Sequence, residues 1–272
     1  MAQLDKPIDV QNIVLLGLPG SGKSHVAAAL QQQFGCHLLA STDCQLEGSV
    51  LAFNRPGCLE WQDFLNLPIK QGDQQDTQSF WCVIDVRSVL PATGFEWLEE
   101  HLSRLLAIAD GVVFTFTEAA SLDEQAWWGQ WVKNHSSNAK KPIVRLMNQL
   151  LPVSFSGFAS IQMDGLQFDK LNQQEAALYQ QSASYQFDVD RVVLDHLLMG
   201  LDSSRHNLAM RITRVKAIVR TLEYANLVVI EGTPYRWDTY AAETEQGLGK
   251  VEISGIGLDQ AWLKQLIDAA KV

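Results

Sequence analysis

Long apolar runs are missing from this 272-residue sequence. None approaches the roughly 20 residues that a bilayer-spanning helix needs, so no membrane partner is expected. Met1–Asp9 is polar and is expected not to be a signal peptide. A basic excess is missing too: Lys and Arg number 21 against 31 Asp and Glu, a net charge of −10, which argues against a general binder of nucleic acid or of anionic membranes. Cysteine is sparse. Cys36, Cys44, Cys58 and Cys82 form no CxxC pair, so reduced thiols and a cytoplasmic location are expected rather than disulfides. His25, His37, His101, His135, His196 and His206 show no HxxxH or HxH spacing, and each reads as a packed or surface residue rather than a metal ligand. There is no internal repeat and no low-complexity tract.

What is present is a complete P-loop. Gly17-Leu18-Pro19-Gly20-Ser21-Gly22-Lys23-Ser24 follows the apolar run Ile13–Leu16 and precedes helix formers from Val26 to Phe34. Gly17, Gly20 and Gly22 let the backbone curl so that successive N–H groups aim at phosphate oxygens. Lys23 would reach the β- and γ-phosphates and is the catalytic candidate; the Ser24 hydroxyl would be a ligand of Mg²⁺. The positive end of the following helix adds to the anion site. A glycine-rich turn with no ligand is the alternative, but every fixed position and the strand–loop–helix context are in place. The nucleotide-binding set is Gly17, Pro19, Gly20, Ser21, Gly22, Lys23, Ser24 and His25, with Asn148 added below.

Apolar residues make up 47% and charged residues 19%, the proportions of a globular chain, and the length predicts two domains. Residues 1–160 alternate strand-like and helical stretches, the signature of a parallel α/β sheet. Strands are predicted at Ile13–Leu16, His37–Ala40, Phe80–Val86, Gly111–Phe116 and Ile143–Met147. Helices are predicted at Ser24–Phe34, Phe95–Ala109 and Ala119–Lys133. Asn66–Ser79, rich in Gln, Asp and Gly, reads as an exposed loop. Residues 161–184, largely Gln-rich without periodicity, read as a linker or crossover. Residues 185–272 form a smaller α+β domain: a helix at Arg191–Leu201, strands at Met210–Glu223, Leu227–Glu231 and Lys250–Ile256, and a terminal helix Gln260–Lys271 capped by Asp259. Trp127, Trp128 and Trp131 on one predicted helix read as packing.

Asp85 ends an apolar strand, where a P-loop protein places the acidic residue that holds Mg²⁺. A strand-end aspartate satisfied by turn amides is the competing reading. Asp43 and Glu47 fit either a switch-like loop or an ordinary solvated one. Asn148 ends the last strand, where GTP-binding proteins carry Asn-Lys-x-Asp. Here the sequence is Asn148-Gln149-Leu150-Leu151, without the carboxylate that reads guanine, a group able to discriminate by about 10⁴, so base choice stays open.

The order of segments resembles the CobW-type P-loop GTPases, nucleotide-driven metallochaperones related to the urease and hydrogenase nickel-insertion GTPases. Gly57-Cys58-Leu59-Glu60-Trp61 falls where that family has Gly-Cys-x-Cys-Cys. Asp85-Val86-Arg87-Ser88 resembles its Glu-x-Ser-Gly segment, with Ser88 in place of the Gly that lets the backbone approach the γ-phosphate. Ala109-Asp110-Gly111-Val112-Val113 is similar to its Ala-Asp-x-Val-Val strand. In the C-terminal part, Arg214-Val215-Lys216-Ala217 and Gly255-Ile256-Gly257-Leu258-Asp259 resemble the family's Arg-x-Lys-Gly strand and late Gly-x-Gly-Leu-Asp. The resemblance implies a P-loop NTPase sheet domain with a CobW-type C-terminal domain, Mg²⁺ as cofactor, GTP ahead of ATP as ligand, weak hydrolysis and a client protein. It also implies a degenerate zinc motif reduced to Cys58, too few donors for Zn²⁺. Two other readings stand beside it: a P-loop small-molecule kinase, and a non-hydrolysing scaffold gated by nucleotide.

Overall fold

The computed structural model describes residues 12–47, 50–63, 67–70, 78–91, 93–136, 140–159, 182–208 and 210–272. The chain divides into two compact units, Met1–Leu166 and Gln167–Val272. The predicted stretches Met1–Asp9 and most of Asn66–Ser79 and of 161–184 lie outside the described residues.

The first unit is built on a parallel sheet. Its elements run β1 (Asn12–Leu16), α1 (Lys23–Phe34), β2 (Leu38–Leu39), β3 (Cys44–Glu47), β4 (Val50–Phe53), β5 (Gly57–Glu60), β6 (Ile69–Lys70), β7 (Gln78–Asp85), α2 (Glu96–Ile108), β8 (Gly111–Thr115), α3 (Leu122–His135) and β9 (Ile143–Arg145). The main sheet has six strands in the order β2-β5-β1-β7-β8-β9, and every pairing is parallel. The pattern follows from composition. β1, β7 and β8 are buried at every position, which suits the middle of a parallel sheet covered on both faces. A core of Ile13, Leu15, Val26, Leu30, Cys58, Trp81, Val83, Val113 and Phe158 joins sheet to helix α1.

The helix ends obey local rules. α1 starts after Gly22 and stops at Gly35, left-handed at φ 65°, whose N–H returns to the Gln31 and Leu30 carbonyls. α3 opens with a reciprocal Ser121–Glu124 capping box.

Several boundaries differ from the sequence reading. β7 begins at Gln78 rather than Phe80, because Gln78 and Ser79 are buried with partners: Gln78 donates to the Leu51 carbonyl at 3.1 Å and Ser79 to that of Phe158 at 3.3 Å. Ile69–Lys70, inside the predicted loop, pairs parallel with β4. β5, with no predicted strand at all, is the neighbour of β1.

The second unit holds an antiparallel sheet in the order β10-β15-β12-β13-β14: β10 (Ser182–Asp188), β12 (Arg211–Thr221), β13 (Val228–Gly232), β14 (Trp237–Ala241) and β15 (Lys250–Ile256). The short β11 (Arg191–Val192) pairs parallel with β12. Helices α4 (Leu194–Asn207) and α5 (Gln260–Ala270) cover one face with Leu197, Leu201, Leu263 and Ile267 against Val215, Val219, Ile230, Val251 and Ile253. The alternating burial along β12 is that of a sheet with one covered face. β10 begins at Ser182, inside the segment read as linker, and α4 begins only at Leu194, because Arg191–Val192 is taken up by strand pairing. Asp259 caps α5 as expected, its side chain accepting the Trp262 N–H at 3.0 Å. Mixed α/β architecture, with a parallel sheet and a separate antiparallel one, is therefore the fold class. Among the described residues no helix is long and apolar enough to cross a membrane.

Candidate phosphate-binding site

β1 lies between β5 and β7, so the loop that leaves its carboxyl end is flanked by the ends of both neighbours. The chain leaves β1 to one side through α1 to β2, and later returns to the other side at β7. In open parallel sheets such a reversal point is where ligands bind.

The loop itself is shaped for close approach. Gly17, Gly20 and Gly22 have φ of 153°, 82° and 87°. A Cβ on Gly17 would stand 2.5 Å from the Val83 carbonyl oxygen, and one on Gly22 would stand 2.9 Å from the Phe116 ring. Only glycine fits at either position. Lys23 is buried, and its ammonium group donates to the Gly17 and Leu18 carbonyls at 2.9 and 3.2 Å, folded back over the loop. Pro19 and Gly20 are half-buried at the rim, and His25 is exposed on the first turn of α1. The Ser21 hydroxyl is buried with no hydrogen-bond partner among the described residues, while the Thr115 hydroxyl lies 2.7 Å from the Ser21 carbonyl and anchors the loop to β8. A curled loop, an enclosed lysine, an orphaned buried hydroxyl and a helix N-terminus, whose first N–H groups lack helical partners, fit a phosphate chain.

Two carboxylates flank this loop. Glu60, at the end of β5, accepts a hydrogen bond from the Ser24 hydroxyl at 2.9 Å. With its hydrogen directed to Glu60, the Ser24 oxygen keeps its lone pairs for a cation. Asp85, at the end of β7 and only 3% exposed, is held by Arg87: Nε and Nη2 donate to its two oxygens at 3.1 and 2.9 Å, and the Arg87 amide donates at 2.9 Å. The Arg87 guanidinium lies 3.6 Å from the centroid of Phe116. That ring in turn stands edge-on to His25, 5.1 Å between centroids, and covers Gly22. Ser24, Glu60 and Asp85 are the hard oxygen donors that Mg²⁺ prefers.

The neighbouring backbone is strained. Ser88 has φ 81°, held by the Glu124 carboxylate on its N–H at 2.8 Å and by the Trp128 indole on its carbonyl at 3.0 Å. Glu124 is also the capping-box residue of α3, so one carboxylate serves both the helix start and this turn. Ser88 stands where the resembled family has glycine, and it takes the left-handed conformation all the same. Phe116 at 56°, Asn148 at 48° and Gln149 at 59° are also left-handed. Asn148 is exposed in a tight Met147–Leu150 turn, and its N–H donates to the Glu118 carboxylate. That bond holds the Glu118 carboxyl below its usual range.

Cys58 is placed away from any such site. It is 1% exposed in the sheet core, and the Cys36 thiol beside it, with burial, pushes its pKa well up, which keeps it protonated. Among the described residues no group of three or more His, Cys, Asp or Glu side chains could hold a metal ion. Asp43 makes a surface pair with Arg55 at 2.9 Å, the solvated-loop alternative.

Glu60, Arg87 and Phe116 lie around the phosphate loop and Glu118 beside Asn148, and none of the four is in the nucleotide- or Mg²⁺-binding set read from the sequence. The clue for Glu60 was available: like Asp85 it closes a short apolar stretch, here Gly57–Glu60. The hydrophobic signal of so short a strand is too weak to show it.

No family model matches the chain, and no curated protein matches it. Solved structures similar to it include a Zn(II)-bound YjiA GTPase from E. coli and a Zn(II)-bound triple mutant of YjiA GTPase. Each has 10% sequence identity and a TM-score of 0.32, with 98% of this chain and 100% of the other covered. A likeness of that degree is no guide to chemistry, which has to come from the loop.

Proposed function

We propose that the chain binds a nucleoside triphosphate with Mg²⁺ in loop 17–24 and acts as a weak NTPase of the CobW kind. The observation that carries this reading is the curled 17–24 loop with Lys23 enclosed in it. Lys23 would move from the Gly17 and Leu18 carbonyls to the β- and γ-phosphates, and loop amides would hold the remaining oxygens. Ser24 and Asp85 would hold Mg²⁺, with Glu60 accepting the Ser24 hydrogen bond and so orienting the hydroxyl; the ion would supply charge neutralisation at the β- and γ-oxygens. GTP is placed ahead of ATP. Glu118, beside Asn148, offers an ionised acceptor of the kind that the ring N–H and amine of guanine require. Metal cargo has no part in this reading, since Cys58 is a core thiol.

The test is calorimetric titration of metal-stripped protein with Mg²⁺ and non-hydrolysable GTP or ATP analogues. Wild type should bind, and Lys23→Ala should weaken binding on the order of 10²-fold, since charge-assisted hydrogen bonds contribute about 1.5–3 kcal/mol each. Absence of wild-type binding to both nucleotides would overturn the reading.

A further inference from the structure

Arg87 is more than a partner for Asp85. Its guanidinium is parked between the carboxylate that ends β7 and the face of Phe116, the ring that packs on Gly22 of the phosphate loop. Both the guanidinium and Gly22 of the loop thus neighbour the same ring. The backbone that carries it is under tension: Ser88, the next residue, is left-handed at φ 81°, a conformation that costs a non-glycine residue about 1–3 kcal/mol and that clusters at switch segments. The strained turn is held from outside by Glu124 and Trp128 of α3. The pairing is also reciprocal in its consequences. While Arg87 holds both Asp85 oxygens, that carboxylate is occupied; when Arg87 leaves, Asp85 is available to a cation.

We propose that Arg87 senses the terminal phosphoryl group of a bound nucleoside triphosphate, exchanging Asp85 for the γ-phosphate oxygens and thereby releasing Asp85 toward Mg²⁺. The inference rests on the nucleotide reading above. Its chemistry is that of any fork of guanidinium donors: a planar, permanently charged group that pairs with a carboxylate in two parallel bonds meets a phosphoryl group by the same geometry. A diphosphate lacks the receiving group, so Arg87 stays on Asp85. The segment 85–88 therefore has two states, and the γ-phosphate selects between them. The residue is supplied by the chain itself, so the response needs no second protein.

The experiment compares affinities for Mg²⁺ with a non-hydrolysable triphosphate and with the matching diphosphate, in wild type, Arg87→Ala and Arg87→Lys. Wild type should prefer the triphosphate by about tenfold or more, the scale of one charge-assisted contact. Arg87→Ala should lower that ratio by about tenfold, the remaining preference coming from Lys23 and Mg²⁺, with diphosphate affinity unchanged or raised because Asp85 is no longer held. Arg87→Lys, which keeps the charge but not the fork, should retain only part of the preference. Amide hydrogen exchange of wild type over residues 85–90 gives a readout that needs no variant: triphosphate should change it and diphosphate should not. A wild-type ratio kept in Arg87→Ala, or exchange that responds equally to both nucleotides, would overturn the proposal and leave the nucleotide reading standing. Absence of any nucleotide binding by wild type would overturn both.

Discussion

The two units bury their cores in the same way and differ in where they carry backbone strain and buried charge. In the first, non-glycine residues take left-handed backbone at Ser88, Phe116, Asn148 and Gln149, the stretches that follow β7, β8 and β9 at the carboxyl edge of the parallel sheet. In the second, among the described residues, positive φ is found only at glycine: Gly247, Gly249 and Gly257. The first unit also buries the charged groups Lys23, Asp85, Asp110 and Lys141, whereas among the described residues of the second the buried polar side chains are the hydroxyls Ser204, Thr213, Thr221 and Thr233, with the Arg205 guanidinium partly enclosed over the Trp237 ring. Strained backbone and buried charge both lower stability, and they persist where surrounding packing over-determines them. The left-handed residues, with Lys23 and Asp85, gather at the carboxyl edge that carries the phosphate loop, while Asp110 and Lys141 precede β8 and β9 at the opposite edge.

The largest effects should show where the units are alike. Phe158→Ala, which empties a site against Trp81 and Gly111, should destabilise the first unit by about 3–5 kcal/mol, and Ile253→Ala the second by about 2–5 kcal/mol. Peptide-resolved hydrogen exchange reads each unit by itself, and a loss well under 2 kcal/mol in either would mean its core is not packed as described. Next in size is backbone geometry. Gly249→Ala, at φ 79° with its new Cβ 2.8 Å from the Val189 carbonyl oxygen, should cost about 1–3 kcal/mol in denaturant titration.

A buried base on helix α2 of the first unit predicts a pH response. Burial, reinforced by Arg104, pushes the His101 pKa down to about 3. A base whose folded pKa is depressed contributes its full stability above its unfolded value of about 6.5 and loses it as pH falls toward 3. Stability should therefore drop by up to about 1.4 kcal/mol per pH unit below about pH 6, and His101→Leu should flatten that slope. The smallest effect tests the strain directly. Ser88→Gly should stabilise the first unit by about 0.5–1 kcal/mol, the relief of the left-handed serine less the extra chain entropy of glycine, read as a small rise in Tm. A fall in Tm would mean that Glu124 and Trp128 hold the turn without strain.

The phosphate loop, the alternating α/β pattern and the long buried strands are local properties, and the sequence by itself determined them. Glycine spacing, a run of apolar residues and a helix cap act within a few positions, so Gly17–Ser24, β8 and the Asp259 cap can be read along the chain. The tertiary structure alone decided the rest. β5 has too few residues to announce itself, and only its place beside β1 brings Glu60, 36 positions away in sequence, to the Ser24 hydroxyl. β10 was hidden for a related reason: its alternation is of half-exposed and exposed residues, and only pairing with β15 makes it a strand. Cys58 matched a surface motif by position and proved to be core, because burial is a property of neighbours. Ser88 shows the limit most sharply. Its left-handed backbone is imposed by Glu124 and Trp128 from a helix more than thirty residues later, against the preference of serine itself.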